Sequence, residues 1–301
     1  MRRTYFRTPS GQGRLRVCDF RLGSAAWHVT SGHVISYHIT SVALPRSTSA
    51  NMAWAVLIYY SLKRTLEIAP IFTILFSKSV TTGIVPSDWR TVHVSPVYKK
   101  GQNYNPENYR PISLTCICCK LLEHLIVKHI MSHADTHNIL YPLQHGFRTG
   151  RSCETQLREF IDDVTLNMEN GKQTDILVLD FSKAFDKVSH PLLLHKLHNY
   201  GIQRELNSWI QNFLSNRKQA VVLKGDKSDY VAVESGVPRG SVLGPSLFLY
   251  YINDINDIPT GLSSTIRLFA DDTIACLAIK SNRDALTLQQ DLDKLSNWEK
   301  N

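Results

Sequence analysis

The alternation of apolar and polar residues becomes regular only from about residue 62 onward. Apolar positions that recur every three or four residues predict helices, and short apolar runs or a period of two predict strands. The predicted helices lie near 63–80, 118–137, 153–169, 191–199, 204–215 and 282–299. The predicted strands lie at 174–180, 219–224, 230–234, 265–270 and 273–279. Because helices and strands are mixed without strict alternation, we expect an α+β fold around an antiparallel sheet.

Acidic residues stand where predicted strands end. The apolar run Ile176–Leu179 ends at Asp180, and Asp271 and Asp272 join two later strands into a predicted hairpin. Either acidic site alone is typical of an ordinary turn. Two such sites in one chain favour a cation site, because Mg²⁺ prefers carboxylate oxygens and two ions about 3.5–4 Å apart can clamp a phosphoryl transfer.

A glycine-rich segment and several cations lie elsewhere in the chain. Glycines 236, 240 and 244 in Ser235–Pro245 permit close approach by a ligand or by another backbone, although a plain turn before a helix gives the same pattern. Lys99, Lys100 and Arg110 flank a predicted turn. Such cations can bind phosphates, and a solvated basic loop is the alternative interpretation.

Composition limits the class of protein and marks one unusual region. The 301 residues are 43% hydrophobic and 20% charged, which excludes a disordered tail, a collagen-like repeat and a multi-span membrane protein. The net charge of +8 is concentrated in residues 1–50, which hold seven arginines and one acidic residue without clear periodicity. We therefore expect residues 1–61 to be an atypical basic extension, disordered or non-native, and residues 62–301 to form the domain.

The sequence gives little indication of a membrane-spanning segment or of a disulfide-bonded fold. No apolar run reaches the ~20 residues that cross a bilayer, so we expect neither a transmembrane segment nor a membrane partner. The six cysteines are too few and too clustered for a disulfide scaffold. This predicts an intracellular protein, nuclear or cytoplasmic and not secreted.

Six segments occur in an order that resembles the reverse transcriptases of non-LTR, LINE-type, jockey-like retrotransposons. The resemblance covers about residues 62–301 and is carried by Val97–Gly101, Asn108–Leu114, Gln144–Arg148, Leu179–Val188, Ser235–Pro245 and Phe269–Asp272. It implies a right-hand polymerase fold, with helical and β fingers and a palm built on an antiparallel sheet. It also implies RNA-directed DNA polymerase activity with two Mg²⁺ ions, Mn²⁺ being the alternative. The implied partners are an RNA template, a DNA primer and deoxynucleoside triphosphates.

The resemblance also assigns roles to individual residues. Asp180, Asp271 and Asp272 match the catalytic aspartates, and Asp180 and Asp271 would hold the two ions with the backbone of Phe181 beside them. One implied nucleotide-binding residue, at position 185, matches the bulky side chain that excludes a ribose 2′-hydroxyl. Lys99 could align in place of the lysine that follows it. The nucleotide-binding set is Lys100, Arg110, Phe185, Arg239 and Gly240.

Two departures from the family pattern support other interpretations. Arg239 replaces the usual glutamine, and arginine is a permanent cation without an acceptor, whereas glutamine has both a donor and an acceptor. The sequence ends 29 residues after Asp272, where we expect the thumb to be missing or incomplete. One alternative is therefore an inactive, truncated retroelement relic that at most binds nucleic acid. A metal-dependent nuclease or phosphatase shares the two-ion chemistry, but it does not explain the segments around Arg110 and Gly240.

Overall fold

A computed structural model describes residues 20–21, 65–258 and 261–300 of the chain. Apart from Phe20–Arg21, the predicted extension over residues 1–61 lies outside the described residues. The helices are α1 (Thr65–Thr82), α2 (Ser87–Arg90), α3 (Ile117–Thr136), α4 (Cys153–Glu169), α5 (His190–Asn199), α6 (Arg204–Leu214), α7 (Leu243–Ile252) and α8 (Asn282–Lys300). The strands are β1 (Phe20–Arg21), β2 (Thr91–Tyr98), β3 (Tyr109–Leu114), β4 (Gln173–Asp180), β5 (Arg217–Leu223), β6 (Asp226–Lys227), β7 (Val231–Val233), β8 (Thr265–Phe269) and β9 (Asp272–Ile279).

The structure confirms the predicted elements and adds others. Every predicted helix and strand is present with its ends within two residues of the expected ones. The sequence analysis missed the strands β2 and β3 and the buried helix α7, and it also missed the shorter elements α2, β1 and β6. The mixed α and β content is as expected.

The first sheet has the strand order β1-β4-β9-β8 and is antiparallel throughout. Alternate residues of its strands face opposite layers. Leu177 and Leu179 pack with Leu292 and Leu295 of α8, whereas Ile176 packs with α4 on the other face. The sheet is therefore covered by α8 on one side and by α4 on the other, and this holds the ends of β4 and β9 in place.

The second sheet has the order β3-β2-β5-β6, with β7 also paired to β5. The pair β2–β5 is parallel, which differs from the antiparallel arrangement expected from the sequence. Pro96 lies opposite Pro111 in the β2–β3 ladder, beyond the residues of β2 that pair with β5. The missing N–H of Pro96 therefore costs no hydrogen bond to β5.

The largest apolar core lies among the helices. It contains the fully buried side chains of Trp209, Phe213, Leu247 and Tyr250, and α7 is buried along almost all of its length. Within the described residues, no helix combines the length and apolar character needed to span a bilayer. Loop residues such as Val188 and Val237 belong to this core as well, which anchors these loops to the helices.

Candidate active site

The predicted catalytic aspartates meet at one end of the first sheet. Asp180, the last residue of β4, is the register partner of Asp272, the first residue of β9. Residues directly opposite each other in an antiparallel pair project from the same face of the sheet. Asp271 lies in the two-residue turn between β8 and β9, next to Asp272. The pairing of β4 with β9 therefore brings Asp180 next to Asp271 and Asp272, although 91 residues separate Asp180 from Asp271 in the sequence.

Burial and mutual repulsion disfavour the charged forms of two of these acids. Burial raises the pKa of Asp271, and the negative charge of Asp180 raises it further, while Arg239 and Lys99 act in the opposite direction. Burial also raises the pKa of Asp272, and the charges of Asp271 and Asp180 add to that effect. A bound cation would lower the free energy of the charged site, because it neutralises the acids that burial and repulsion disfavour.

The donor set fits a divalent metal ion in its chemistry. The ligands on offer are carboxylate oxygens, which Mg²⁺ and Mn²⁺ prefer, and their mutual repulsion is what a bound cation would relieve. They do not form a preassembled cluster: across the described parts of the chain, no group of three or more His, Cys, Asp or Glu side chains is arranged to hold a metal. The described residues thus provide carboxylate oxygens as metal ligands, but they do not form a complete coordination shell.

The lysine that follows β2 acts electrostatically on these carboxylates. The positive charge of Lys99 lowers the pKa of both Asp271 and Asp272. The backbone N–H of Lys99 donates to Asn108 O at 2.8 Å, and this bond extends the β2–β3 ladder by one residue. Lys100 is exposed and exerts no resolved effect on either acid. Arg110, also exposed, lies opposite Val97 in the ladder, on the face that Lys99 continues.

Two phenylalanines lie beside the end of β4. Phe181, which follows Asp180, is half-buried and packs edge-on against Trp298 at a centroid distance of 6.1 Å. Phe185 stacks on Phe248 of α7 at 4.3 Å and meets Phe147 edge-on at 6.2 Å. The ring of Phe185 is therefore fixed from two sides.

Arg239, where the resemblance leads us to expect glutamine, is paired with Asp186, an acid that no sequence pattern singles out. Its Nε and Nη2 donate to the two carboxylate oxygens of Asp186 at 3.0 and 2.9 Å. The guanidinium also lies 6.0 Å from the centre of the Phe185 ring. The pairing uses two of the five guanidinium N–H groups, so Arg239 is oriented by Asp186 without being saturated.

Gly240 brings the glycine-rich segment against the second sheet. A Cβ at this position would lie 2.7 Å from Ser113 O, and the φ angle of 96° is one that other residues rarely adopt. Ser113 N–H also donates to Arg239 O at 2.7 Å. Close packing against the backbone of Ser113 is thus the contact that the structure shows for this glycine.

A buried glutamate bonds to the N-terminus of α7, the helix that follows the glycine-rich segment. Glu123 of α3 is completely buried, and its Oε2 accepts hydrogen bonds from Val242 N at 2.7 Å and Leu243 N at 2.9 Å. It therefore caps the N-terminus of α7, where free N–H groups and the helix dipole favour an anion. No local sequence signal predicts this contact, because the two partners lie about 120 residues apart.

Comparison with known proteins identifies the family. The family described as "Reverse transcriptase (RNA-dependent DNA polymerase)" matches residues 97–301, which include all three aspartates. The chain is 30% identical over 253 residues to the RNA-directed DNA polymerase from mobile element jockey of Drosophila melanogaster, covering 79% of this chain and 27% of that protein. It is likewise 30% identical over 230 residues to the probable RNA-directed DNA polymerase from transposon X-element of the same species, covering 75% and 25%.

A third relative comes from another insect. The chain is 28% identical over 220 residues to a Pol polyprotein from a type-1 retrotransposable element R2 of Popillia japonica, covering 71% of this chain and 29% of that protein. The chain thus spans about a quarter of the length of the curated relatives that it matches. Because the family match extends over two thirds of its residues, the chain belongs to the reverse transcriptase (RNA-dependent DNA polymerase) family.

Proposed function

We propose that residues 62–301 act as the fingers and palm of a right-hand RNA-directed DNA polymerase from a non-LTR retrotransposon, with residues 1–61 as a separate basic extension. The observation that carries this proposal is the meeting of Asp180, Asp271 and Asp272 at the paired ends of β4 and β9, inside the family match. In this assignment the first sheet belongs to the palm and the second to the fingers.

The carboxylates are proposed to hold the metal. Asp180 and Asp271 would bind two Mg²⁺ ions beside the backbone of Phe181, and Asp272 would assist. The bound ions would supply positive charge that activates a primer 3′-hydroxyl and neutralises a triphosphate. Support comes from burial and from repulsion among the acids, which together raise the pKa of Asp271 and Asp272, because a bound cation would offset both effects.

The remaining residues are proposed to bind the nucleotide and the nucleic acid. Lys99 or Lys100 and Arg110 would bind the triphosphate, and the charge of Lys99 on the acids favours the first of the two lysines. A residue fixed by two aromatic neighbours suits a steric gate, so Phe185 would exclude a ribose 2′-hydroxyl. Arg239 and Gly240 would lie along the RNA template and the incoming deoxynucleotide.

Extension of a DNA primer on an RNA template tests this function. The wild-type chain is expected to incorporate deoxynucleotides with Mg²⁺ or Mn²⁺, and Asp271→Asn is expected to lose at least about a thousandfold in rate, as when an essential charge-stabilising group is removed. Asp175→Asn, on the same strand as Asp180 but near its other end, is the matched control and is expected to stay active. A folded wild-type chain without incorporation would contradict the proposal and favour the inactive alternative.

A further inference from the structure

The segment around Gln144 covers the free edge of β8. Leu268 N–H donates to Leu143 O at 3.0 Å, and His145 N–H donates to Leu268 O at 2.8 Å. Gln144 itself forms a parallel bridge with Leu268. The segment therefore acts as a short additional strand beside β8, and it runs alongside the turn that carries Asp271.

The carboxamide of Gln144 bonds to both polar backbone groups of Ala270. Ala270 N–H donates to Gln144 Oε1 at 2.9 Å, and Gln144 Nε2 donates to Ala270 O at 3.3 Å. The same Oε1 accepts from Gly146 N–H at 2.8 Å. The side chain thus supplies one donor and one acceptor to the turn, as a neighbouring strand would.

The turn requires such support. Ala270 has a φ of 57°, in the left-handed region that residues with a Cβ rarely adopt and that persists where the surroundings hold it. Asp271 follows directly, so any change in the backbone of Ala270 moves its carboxylate.

Packing around Gln144 leaves it little freedom. Its exposed fraction is 2%, and a Cβ on Gly146 would lie 2.3 Å from Ala270 N. The backbone of this segment and that of the turn are therefore in direct contact, with the carboxamide enclosed between them. A buried amide whose oxygen accepts two hydrogen bonds and whose nitrogen donates one is a rigid support.

We propose that Gln144 is a positioning residue that fixes the backbone of Ala270 and thereby places the Asp271 carboxylate for its metal ion. The inference rests on the proposed polymerase function. Gln144 acts through Ala270 and is not itself a catalytic residue. The role requires a donor and an acceptor at one side-chain length, which glutamine supplies and glutamate or methionine does not.

Two variants of similar size test this role in the full chain. Gln144→Met keeps the length of the side chain without its hydrogen bonds, and Gln144→Glu keeps the shape without the donor. We expect kcat for primer extension to fall roughly 10–100-fold, as for other residues that orient metal ligands, and the half-saturating Mg²⁺ concentration to rise. The KM for nucleotide is expected to change less than about twofold, because the two variants do not alter the contacts that bind the nucleotide in the ground state.

Two further readouts do not depend on activity. Hydrogen exchange of the Ala270 amide is expected to be at least about tenfold faster in Gln144→Met, which removes its acceptor, and to change less in Gln144→Glu, whose carboxylate still accepts. Mn²⁺ binding, followed by electron paramagnetic resonance without nucleic acid, is expected to weaken roughly tenfold. Gln156→Met, at a buried glutamine of α4, is the control and should match the wild type in all measurements.

The outcomes separate this inference from the proposed function. If either variant folds and keeps kcat, the Mg²⁺ requirement and Ala270 exchange within about twofold of the wild type, the positioning role is wrong and the polymerase assignment stands. If the wild type extends no primer, the proposed function fails, and amide exchange with Mn²⁺ binding still decides the role of Gln144. If Gln144→Met does not fold, Gln144→Glu decides by kcat, by the Mg²⁺ requirement and by Mn²⁺ binding, since it lacks the donor to Ala270 O.

Discussion

Arg239 and Asp186 show how one residue that departs from a family pattern acquires a local partner. The two hydrogen bonds between them, at 3.0 and 2.9 Å, form the fork that arginine makes with carboxylates. The Arg239 side chain is 29% exposed and that of Asp186 43%, so solvent screens the pair. Arg239→Gln would leave Asp186 without this fork.

A double-mutant cycle measures this pair. We expect Arg239→Gln and Asp186→Asn each to lower the free energy of unfolding, and the two together to cost less than their sum by about 1 kcal/mol, because the partly exposed fork is lost only once. Urea denaturation of the wild type, both single variants and the double variant gives the coupling. Strict additivity would show that the fork contributes nothing to stability.

Burial of Asp272 and repulsion from the other acids predict a pH-dependent stability in the absence of metal. The raised pKa of Asp272 means that the folded chain favours its protonated form. The contribution of Asp272 to the free energy of unfolding is therefore fully present below its unfolded pKa of about 3.9. This contribution is lost as the pH rises through the raised pKa of the folded state. In EDTA at neutral pH, Asp272→Asn is expected to melt a few degrees above the wild type, and the difference should vanish in acid.

Added Mg²⁺ completes this experiment. The wild type is expected to gain melting temperature as Mg²⁺ is titrated, since a ligand that binds only the folded state stabilises it, whereas Asp272→Asn should gain less. Asp175→Asn, whose carboxylate accepts from Gln173 Nε2 within β4, is the control and should respond to Mg²⁺ as the wild type does. A wild type that melts higher than Asp272→Asn in EDTA would contradict the expected repulsion.

Some site residues could be predicted from the sequence and others could not, for a physical reason. Asp180, Asp271 and Asp272 follow apolar runs, so local patterning reveals them. Gln144 and Glu123 bond to backbone groups more than 110 residues away, and no local pattern encodes such contacts. A glutamate on a helix is ordinarily a solvated residue, and only the tertiary packing of α3 on α7 makes this one structural.

At the scale of elements, helix α7 depends on an acid from another helix. The buried Glu123 carboxylate accepts from the first free N–H groups of α7, and its removal would leave them without this acceptor in the core. Glu123→Ala is expected to lower the free energy of unfolding by about 3 kcal/mol, in the range for breaking a buried charged contact. Glu123→Gln should cost less, because its amide oxygen still accepts.

Urea unfolding of these variants provides the measurement. Glu169→Ala, at the exposed C-terminal end of α4, is the control and should stay within about 0.5 kcal/mol of the wild type. A Glu123→Ala chain as stable as this control would mean that α7 finds other partners for its N–H groups.

The elements that the sequence analysis missed share a cause. Helix α7 is apolar on all sides, so it lacks the amphipathic period by which helices are recognised. Strands β2 and β3 each contain a proline, which ordinarily argues against a strand. Here Pro96 and Pro111 face each other in the ladder, away from the residues that bond to β5. The helices and strands with regular periodicity were predicted to within two residues.

At the scale of the whole molecule, the site is assembled from two sheets. The first sheet contributes the carboxylates, and the second brings the charge of Lys99 to them from the end of β2. Since the charge of Lys99, and not that of Lys100, acts on the acids, the two adjacent lysines offer a matched pair of substitutions.

Lys99→Met and Lys100→Met test this assembly by primer extension. Loss of one charge-assisted contact to the triphosphate is expected to raise the KM for nucleotide roughly tenfold in Lys99→Met and less than about twofold in Lys100→Met. Lys99 lowers the pKa of Asp271 and Asp272, so its removal raises both, and the acidic limb of the pH–rate profile should move to higher pH. The profile of Lys100→Met should not move. Equal effects of the two substitutions would show that the second sheet does not present Lys99 to the site in the way that its position at the end of β2 indicates.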